Sequence, residues 1–196
     1  MASKLILREL EHSSPHIHSG KHLVYYIPGG NRDSISRQIL DFKDGTAAAV
    51  KKWCGLAVEA LAGKKFDYVV RILGHDTLND NGSGSLSRLA RDIAVETGAS
   101  YENALLKKRH KTAKFSKGVD KAGRRDLLEG AYFLNPKCQL VDGKRLLVVD
   151  DVSTSSSTID VIADKIHTDY PKMKIFVFTL AKTRHDAKAN EAIEID

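Results

Sequence analysis

Residues 146–158 read LLVVDDVSTSSST, and this stretch decides the fold class. Leu146 to Val149 form a short apolar run, the pattern of a strand buried on both faces. Asp150 and Asp151 stand at its end, and the hydroxyl residues Ser153, Thr154, Ser155, Ser156, Ser157 and Thr158 follow. Ile159, Ile162, Ala163 and Ile166 then recur at helical spacing. The order is therefore strand, acidic tip, small-residue loop, helix. Backbone amides at such a loop and helix start converge on one concavity, where the helix dipole favours an anion. Two ionised carboxylates next to it suit vicinal hydroxyls, since each accepts several hydrogen bonds. A phosphorylated sugar satisfies both halves. The plain alternative is a buried strand followed by a Ser/Thr-rich loop of helix-capping residues.

Working outward, apolar runs and helical periods alternate. His22–Ile27 predicts a strand, ended by Pro28, Gly29 and Gly30. The segment Thr46–Leu61 predicts a helix with Val50, Trp53, Cys54, Ala57 and Leu61 on one face, and Gly63 as its stop. Phe66–Leu73 predicts a second strand, and Gly74–Ser85 a polar loop. Leu86, Leu89, Ala90, Ile93 and Ala94 mark a helix closing at Gly98. Short strands are expected at Leu105–Leu106 and Leu128–Leu134, and another at Lys174–Leu180 after the helix near 157–168. This alternation implies an α/β fold: a Rossmann-like, mainly parallel sheet with helices on both faces. In such sheets ligands bind beyond the carboxyl ends of the strands. Gly74–Ser85, Asp150–Thr158, and Lys182 and Arg184 after the last strand all lie there.

The 196 residues suit one domain, read as an N-terminal, His-rich extension over 1–21 and a main domain over 22–196. No apolar run approaches a membrane span and no signal-like segment opens the chain, so no membrane partner and a cytoplasmic setting are expected. Cys54 and Cys138 form no metal or disulfide spacing and read as small core residues. The formal net charge of +6 is concentrated. Nine of the basic residues fall between Lys107 and Arg125, against the single acid Asp120. Such a basic loop at 107–125 suits a polyanion, whether pyrophosphate, nucleotide or nucleic acid; the other reading is a solvated lysine-rich loop. His12, His16, His18 and His22 are dense enough to hold Zn²⁺ or Ni²⁺, but their spacing matches no zinc module.

Residues 146–158 resemble the phosphoribosyl pyrophosphate (PRPP) motif of the type I phosphoribosyltransferases. That motif is an apolar strand, two acids, an apolar residue, any residue, then Thr-Thr-Gly-any-Thr. Asp150, Asp151, Val152, Ser153, Thr154 and Thr158 fit it, and Ser155 replaces a Thr. Ser156 stands where the family usually has Gly, a residue that tolerates positive φ and lets backbone approach phosphate. Serine fits there only with negative φ or with strain. More of the chain resembles the ComF-like branch. Ile39–Gly45 is similar to its apolar–Lys–Gly segment, and Gly82 with Leu89 and Ala90 to its Arg-Gly-Phe-Asn-Gln helix start. Asn81, Ser83, Gly84 and Ser85 depart from that start. Thr112, Arg124, Gly130, Ala131 and Tyr132 fit a further stretch, with Leu127 in place of Asn. The branch's four-cysteine zinc ribbon has no counterpart in the sequence.

The resemblance implies transfer of a phosphoribosyl group from PRPP to an unidentified acceptor through an oxocarbenium-like transition state, with pyrophosphate leaving. Asp150 and Asp151 would orient the ribose hydroxyls and hold Mg²⁺, the implied cofactor. Ser153, Thr154, Ser155, Ser156, Ser157 and Thr158 would cradle the 5′-phosphate. Gly74, His75 and Asp76 would sit at the pyrophosphate. Arg109 and Lys111, with Lys114, would close over the leaving group. Two other readings stand beside this one: a non-catalytic PRPP or nucleotide sensor, and a competence-type protein that binds nucleic acid through 107–125. The sequence selects no oligomeric state, and a homodimer stays open.

Overall fold

The computed structural model describes residues 6–112, 121–191 and 193. Its centre is the predicted strand β7, Arg145–Ser153. Leu146 and Val148 enter one apolar cluster, Leu147 and Val149 the other, and all four are at most 1% exposed. This is how a four-residue apolar run joins two cores: successive side chains point to opposite faces. Each such burial contributes about 1.5–3 kcal/mol.

Six strands form the main sheet. They are β1 (Arg8–Glu9), β2 (Ile17–Tyr26), β3 (Tyr68–Arg71), β4 (Ser100–Tyr101), β7 and β8 (Lys174–Thr183), in the order β1-β2-β8-β7-β3-β4. Every pairing is parallel except β1 with β2. Parallel pairing brings the carboxyl ends of β2, β3, β7 and β8 to one edge. Arg71 lies opposite Val149, and Asp150 opposite Thr179.

Helices cover both faces, as the alternation predicts. One face carries α1 (Ser34–Lys43), α2 (Ala47–Leu61) and α3 (Ser85–Thr97), which bury Phe42, Trp53 and Leu89 against β7 and β8. Asp33 caps α1 by accepting the Ser36 amide at 2.7 Å. The other face carries α5 (Ser157–Asp169), α4 (Lys121–Ala131) and a two-stranded antiparallel sheet. That sheet pairs β5 (Leu106–Lys108) with β6 (Tyr132–Leu134).

Three segments differ from the sequence expectation. β2 begins at Ile17, so the boundary drawn at residue 22 falls inside a strand. Its first half does not alternate cleanly, since neither His18 nor Ser19 is buried and the register shifts between Ile17 and Ser19, and polar residues hide the strand. Leu128 to Ala131 are helical, and only Tyr132–Leu134 is strand. Leu128 packs its turn of helix into the core, which an apolar count alone cannot distinguish from a strand. The basic segment starts in β5 and ends in α4; Lys114 and Lys117 lie outside the described residues.

Candidate functional site

β7 delivers Asp150 and Asp151 to the carboxyl edge, and α5 begins at Ser157, four residues after the strand ends at Ser153. The turn between them contains the only non-glycine residue with positive φ among the described residues, Ser156 at φ 58. The strain expected for serine at the glycine position is therefore accepted. Its hydroxyl explains how. Ser156 Oγ donates to the Glu11 carbonyl at 2.8 Å and lies 3.1 Å from Ser153 Oγ. A side chain in the cap position normally turns back to the first-turn amides. Here it is held away, and α5 has no side-chain cap. The first-turn amides and the positive end of the helix dipole thus face the turn without a capping side chain.

The six hydroxyl residues do not share one environment. Ser153, Ser156 and Ser157 are buried, and Ser157 Oγ is 2.9 Å from Ser155 Oγ. Thr154 is exposed, and Ser155 and Thr158 are half-buried. The loop is braced from below by a serine network and from the side by Lys182, whose Nζ donates to the Thr154 carbonyl at 2.8 Å.

The two acids also differ. Asp151 Oδ1 accepts the Val152 amide at 2.6 Å and pairs with Lys43 Nζ at 3.3 Å. Lys43 ends α1, inside the Ile39–Gly45 segment singled out in the sequence. Asp150 Oδ1 accepts the Asp151 amide at 2.9 Å. Burial, and then the neighbouring Asp151 charge, push the Asp150 carboxyl up to about 8. Lys43 and Arg71 act in the opposite direction. An acid held neutral by its site ionises when a cation or hydrogen-bond donor arrives.

The loop after β3 lies alongside. Lys108 of β5 is 5% exposed, and its Nζ donates to the Gly74 carbonyl at 2.7 Å and to Thr112 Oγ1 at 3.0 Å. Burial brings the Lys108 ammonium down to about 8, with Asp76 acting against it. The Thr112 amide donates to the His75 carbonyl at 2.9 Å. These bonds bring Lys111 beside Gly74, His75 and Asp76. Asp76 is exposed, and its carboxyl is held below the usual range by its own amide, His75 and Lys111. Arg109 is exposed too, and its guanidinium lies over the Phe133 ring at 5.2 Å.

Asp80 holds the rest of this loop. Its Oδ1 accepts from Arg71 Nη2 at 2.9 Å, the Gly82 amide at 2.8 Å and Ser87 Oγ at 2.8 Å, while Tyr101 donates its hydroxyl to Oδ2. Sequence reasoning singled out neither Lys108, Lys43 nor Asp80 as a site residue. A charge run hides Lys108, and no local pattern marks a buried aspartate that gathers residues up to 21 positions apart.

The four N-terminal histidines separate. His16 stacks on His167 with centroids 3.7 Å apart, and His18 meets the Phe176 ring edge-on. His12 and His22 bond the carbonyls of Ser14 and Val24. Among the described residues no group of three or more His, Cys, Asp or Glu side chains converges as a metal cage. Cys54 and Cys138 are free thiols, and burial raises Cys54 to about 11. No helix among the described residues is long and apolar enough to cross a membrane.

No protein-family model matches the chain. No curated protein matches it either. Among solved structures, the chain is similar to the adenine phosphoribosyltransferase of Leishmania tarentolae at 12% identity, covering 94% of this chain and 98% of that one, with a TM-score of 0.49. It is similar to the enzyme of the same name from Thermoanaerobacter pseudethanolicus at 15% identity, covering 81% and 95%, with a TM-score of 0.45. A third similar structure is the Saccharomyces cerevisiae adenine phosphoribosyltransferase complexed with an imino-altritol bisphosphate and adenine, at 12% identity, 74% and 72% coverage and a TM-score of 0.40.

Proposed function

We propose that this chain is a phosphoribosyltransferase-like protein of the ComF-like branch that binds PRPP with Mg²⁺ and transfers the phosphoribosyl group to an acceptor, releasing pyrophosphate. One observation carries the reading. An uncapped helix start at Ser157 and a pair of carboxylates at Asp150 and Asp151 share one strand–turn–helix, beside a second loop braced by a buried lysine. In this reading the 5′-phosphate takes the amides of the turn and the Thr154 and Thr158 hydroxyls. The ribose hydroxyls take Asp150 and Asp151. The pyrophosphate lies toward Gly74–Asp76, with Lys111 and Arg109 close by. Mg²⁺ suits this donor set, because it is commonly held by one or two carboxylates plus substrate phosphates and water rather than by a protein cage. When bound it would neutralise the leaving pyrophosphate. Asp150 would lose its proton as the ion or the ribose arrives.

The test is the double substitution Asp150→Asn with Asp151→Asn. PRPP affinity in the presence of Mg²⁺, measured by calorimetry, should fall by roughly a hundredfold or more, the scale of losing two charged hydrogen-bond partners, while the melting curve is retained. Unchanged affinity removes the site assignment. Ser156 favours a second reading, a PRPP sensor, because its left-handed conformation and its bond to Glu11 tie the turn to the N-terminal segment. Pyrophosphate release with a panel of bases separates the two: binding without release supports the sensor.

A further inference from the structure

The face of the sheet under α1, α2 and α3 is not closed at the amino ends of the strands. α2 stops at Leu61 and the chain turns at Gly63 with φ 75. Beneath that turn lies a cavity of about 170 Å³, walled by Leu61, Phe66, Leu147 and Phe176. β7 runs from Arg145 to Ser153, so this cavity sits at the opposite end of the strand from Asp150 and the hydroxyl turn. All charge on its walls is positive: Lys21, Lys64 and Arg145.

Lys21 is already paired with Glu9. Among the described residues the other two cations make no ion pair, although the Asp67 carboxyl feels the Arg145 charge at longer range. Arg145 is packed against the rings of Phe66 and Phe176, 5.5 and 5.0 Å from their centroids, and its Nε is buried without a partner. Among the described residues, no carboxylate lies within ion-pair distance of Arg145 or Lys64. Asp67, the nearest acid in sequence, is occupied by the Arg145 backbone amide at 2.8 Å and by Lys144 at 3.4 Å.

A guanidinium held against two rings, with its Nε left without an acceptor, has the preorganisation that planar carboxylates exploit. A buried donor without an acceptor calls for one. An inorganic anion would meet the charge and leave the apolar wall facing water. A neutral apolar molecule would fill the wall and leave the donor unpaired. A cavity of roughly 150 Å³ with apolar walls accepts a benzene ring. We infer that this cavity is a binding site for a small monocarboxylate with an aromatic or branched aliphatic body. The inference is independent of the function proposed for the carboxyl edge.

The probe is sodium benzoate titrated into the full chain, followed by calorimetry and by methyl NMR of Leu7, Leu61 and Leu147, which line the cavity from the same face of the sheet. Saturable one-site binding with shifts at these methyls is expected, with benzamide roughly tenfold weaker for want of the charged pair. Sulfate should leave the methyls unmoved. Arg145→Met, which keeps a long side chain against the two rings, should lose benzoate affinity by a similar factor at unchanged circular dichroism. The inference is overturned by absence of saturable binding, by equal binding of benzamide, by methyl shifts with sulfate equal to those with benzoate, or by full affinity in Arg145→Met. If that variant does not fold, Lys64→Gln and the benzoate-to-benzamide ratio on the unaltered chain decide in the same way.

Discussion

Ser156 concentrates the local physics of the candidate site. A left-handed backbone costs a non-glycine residue about 1–2 kcal/mol, and a hydrogen bond of the Oγ–Glu11 kind returns about 1 kcal/mol. Ser156→Gly removes the strain and the bond together, so its unfolding free energy should stay within about 1 kcal/mol of the parent. Ser156→Ala keeps the strain and loses the bond, and should cost about 1–2 kcal/mol in urea unfolding. An alanine variant as stable as the parent would show that the hydroxyl does not hold the turn. The sequence marks this residue, because serine replaces the glycine of the resembled motif. It does not reveal the compensation, since Glu11 lies 145 residues away and contributes only a carbonyl.

At the scale of elements, the N-terminal segment straps α5. Asp160 Oδ1 accepts the amides of Ser13 and Ser14, each at 3.0 Å, and Ser14 Oγ donates to Asp164 at 2.6 Å. Arg125 of α4 reaches the other oxygen of Asp164. α5 therefore receives the N-terminal strap and the helix after the basic segment on adjacent turns. Asp160→Ala should cost about 2–3 kcal/mol, because it leaves two amides without their acceptor. Hydrogen exchange should speed up first at Ser13 and Ser14; unaltered exchange there would refute the strap. Helices α2 and α3 were legible almost to the residue, since their apolar faces repeat at 3.6 residues over three turns or more. α4 and the start of β2 were not. Their apolar residues are few, and it is their partners, α5 for α4 and β8 for β2, that select the conformation.

For the whole molecule, two ionisable groups, the buried His22 and the half-buried Asp150, slope stability in opposite directions with pH. Burial lowers His22 to about 4, so the folded chain binds fewer protons than the unfolded one between about pH 4 and 6.5. Its contribution to stability therefore rises with pH across that window and is lost as the pH falls through it. Asp150 is raised to about 8, so the folded chain holds a proton that the unfolded chain releases between about pH 4 and 8. Its contribution is full below the lower limit and is lost as the pH rises. Urea midpoints should thus vary little in the parent between about pH 4 and 6.5 and fall above that, rise with pH up to about 6.5 in Asp150→Asn, and fall with pH in His22→Gln. Parallel curves for all three would refute the assignment. If Asp150 holds Mg²⁺, the parent's Mg²⁺ affinity should also tighten as the pH rises toward about 8 and level off above it, and Asp150→Asn should lose that dependence.

The sequence by itself determined the alternation of strand and helix, the burial of the LLVV strand on both faces and the meeting of acids, hydroxyls and a helix start at its end, because these are local patterns written in neighbouring residues. Only the tertiary structure decided which side chains stand between them. Lys43 on Asp151, Lys108 on Gly74, Lys182 on Thr154, Tyr101 on Asp80 and Glu11 behind Ser156 all join segments distant in the chain. Such contacts depend on strand order and on burial, and strand order is set when parallel pairing brings separate strands to a common edge.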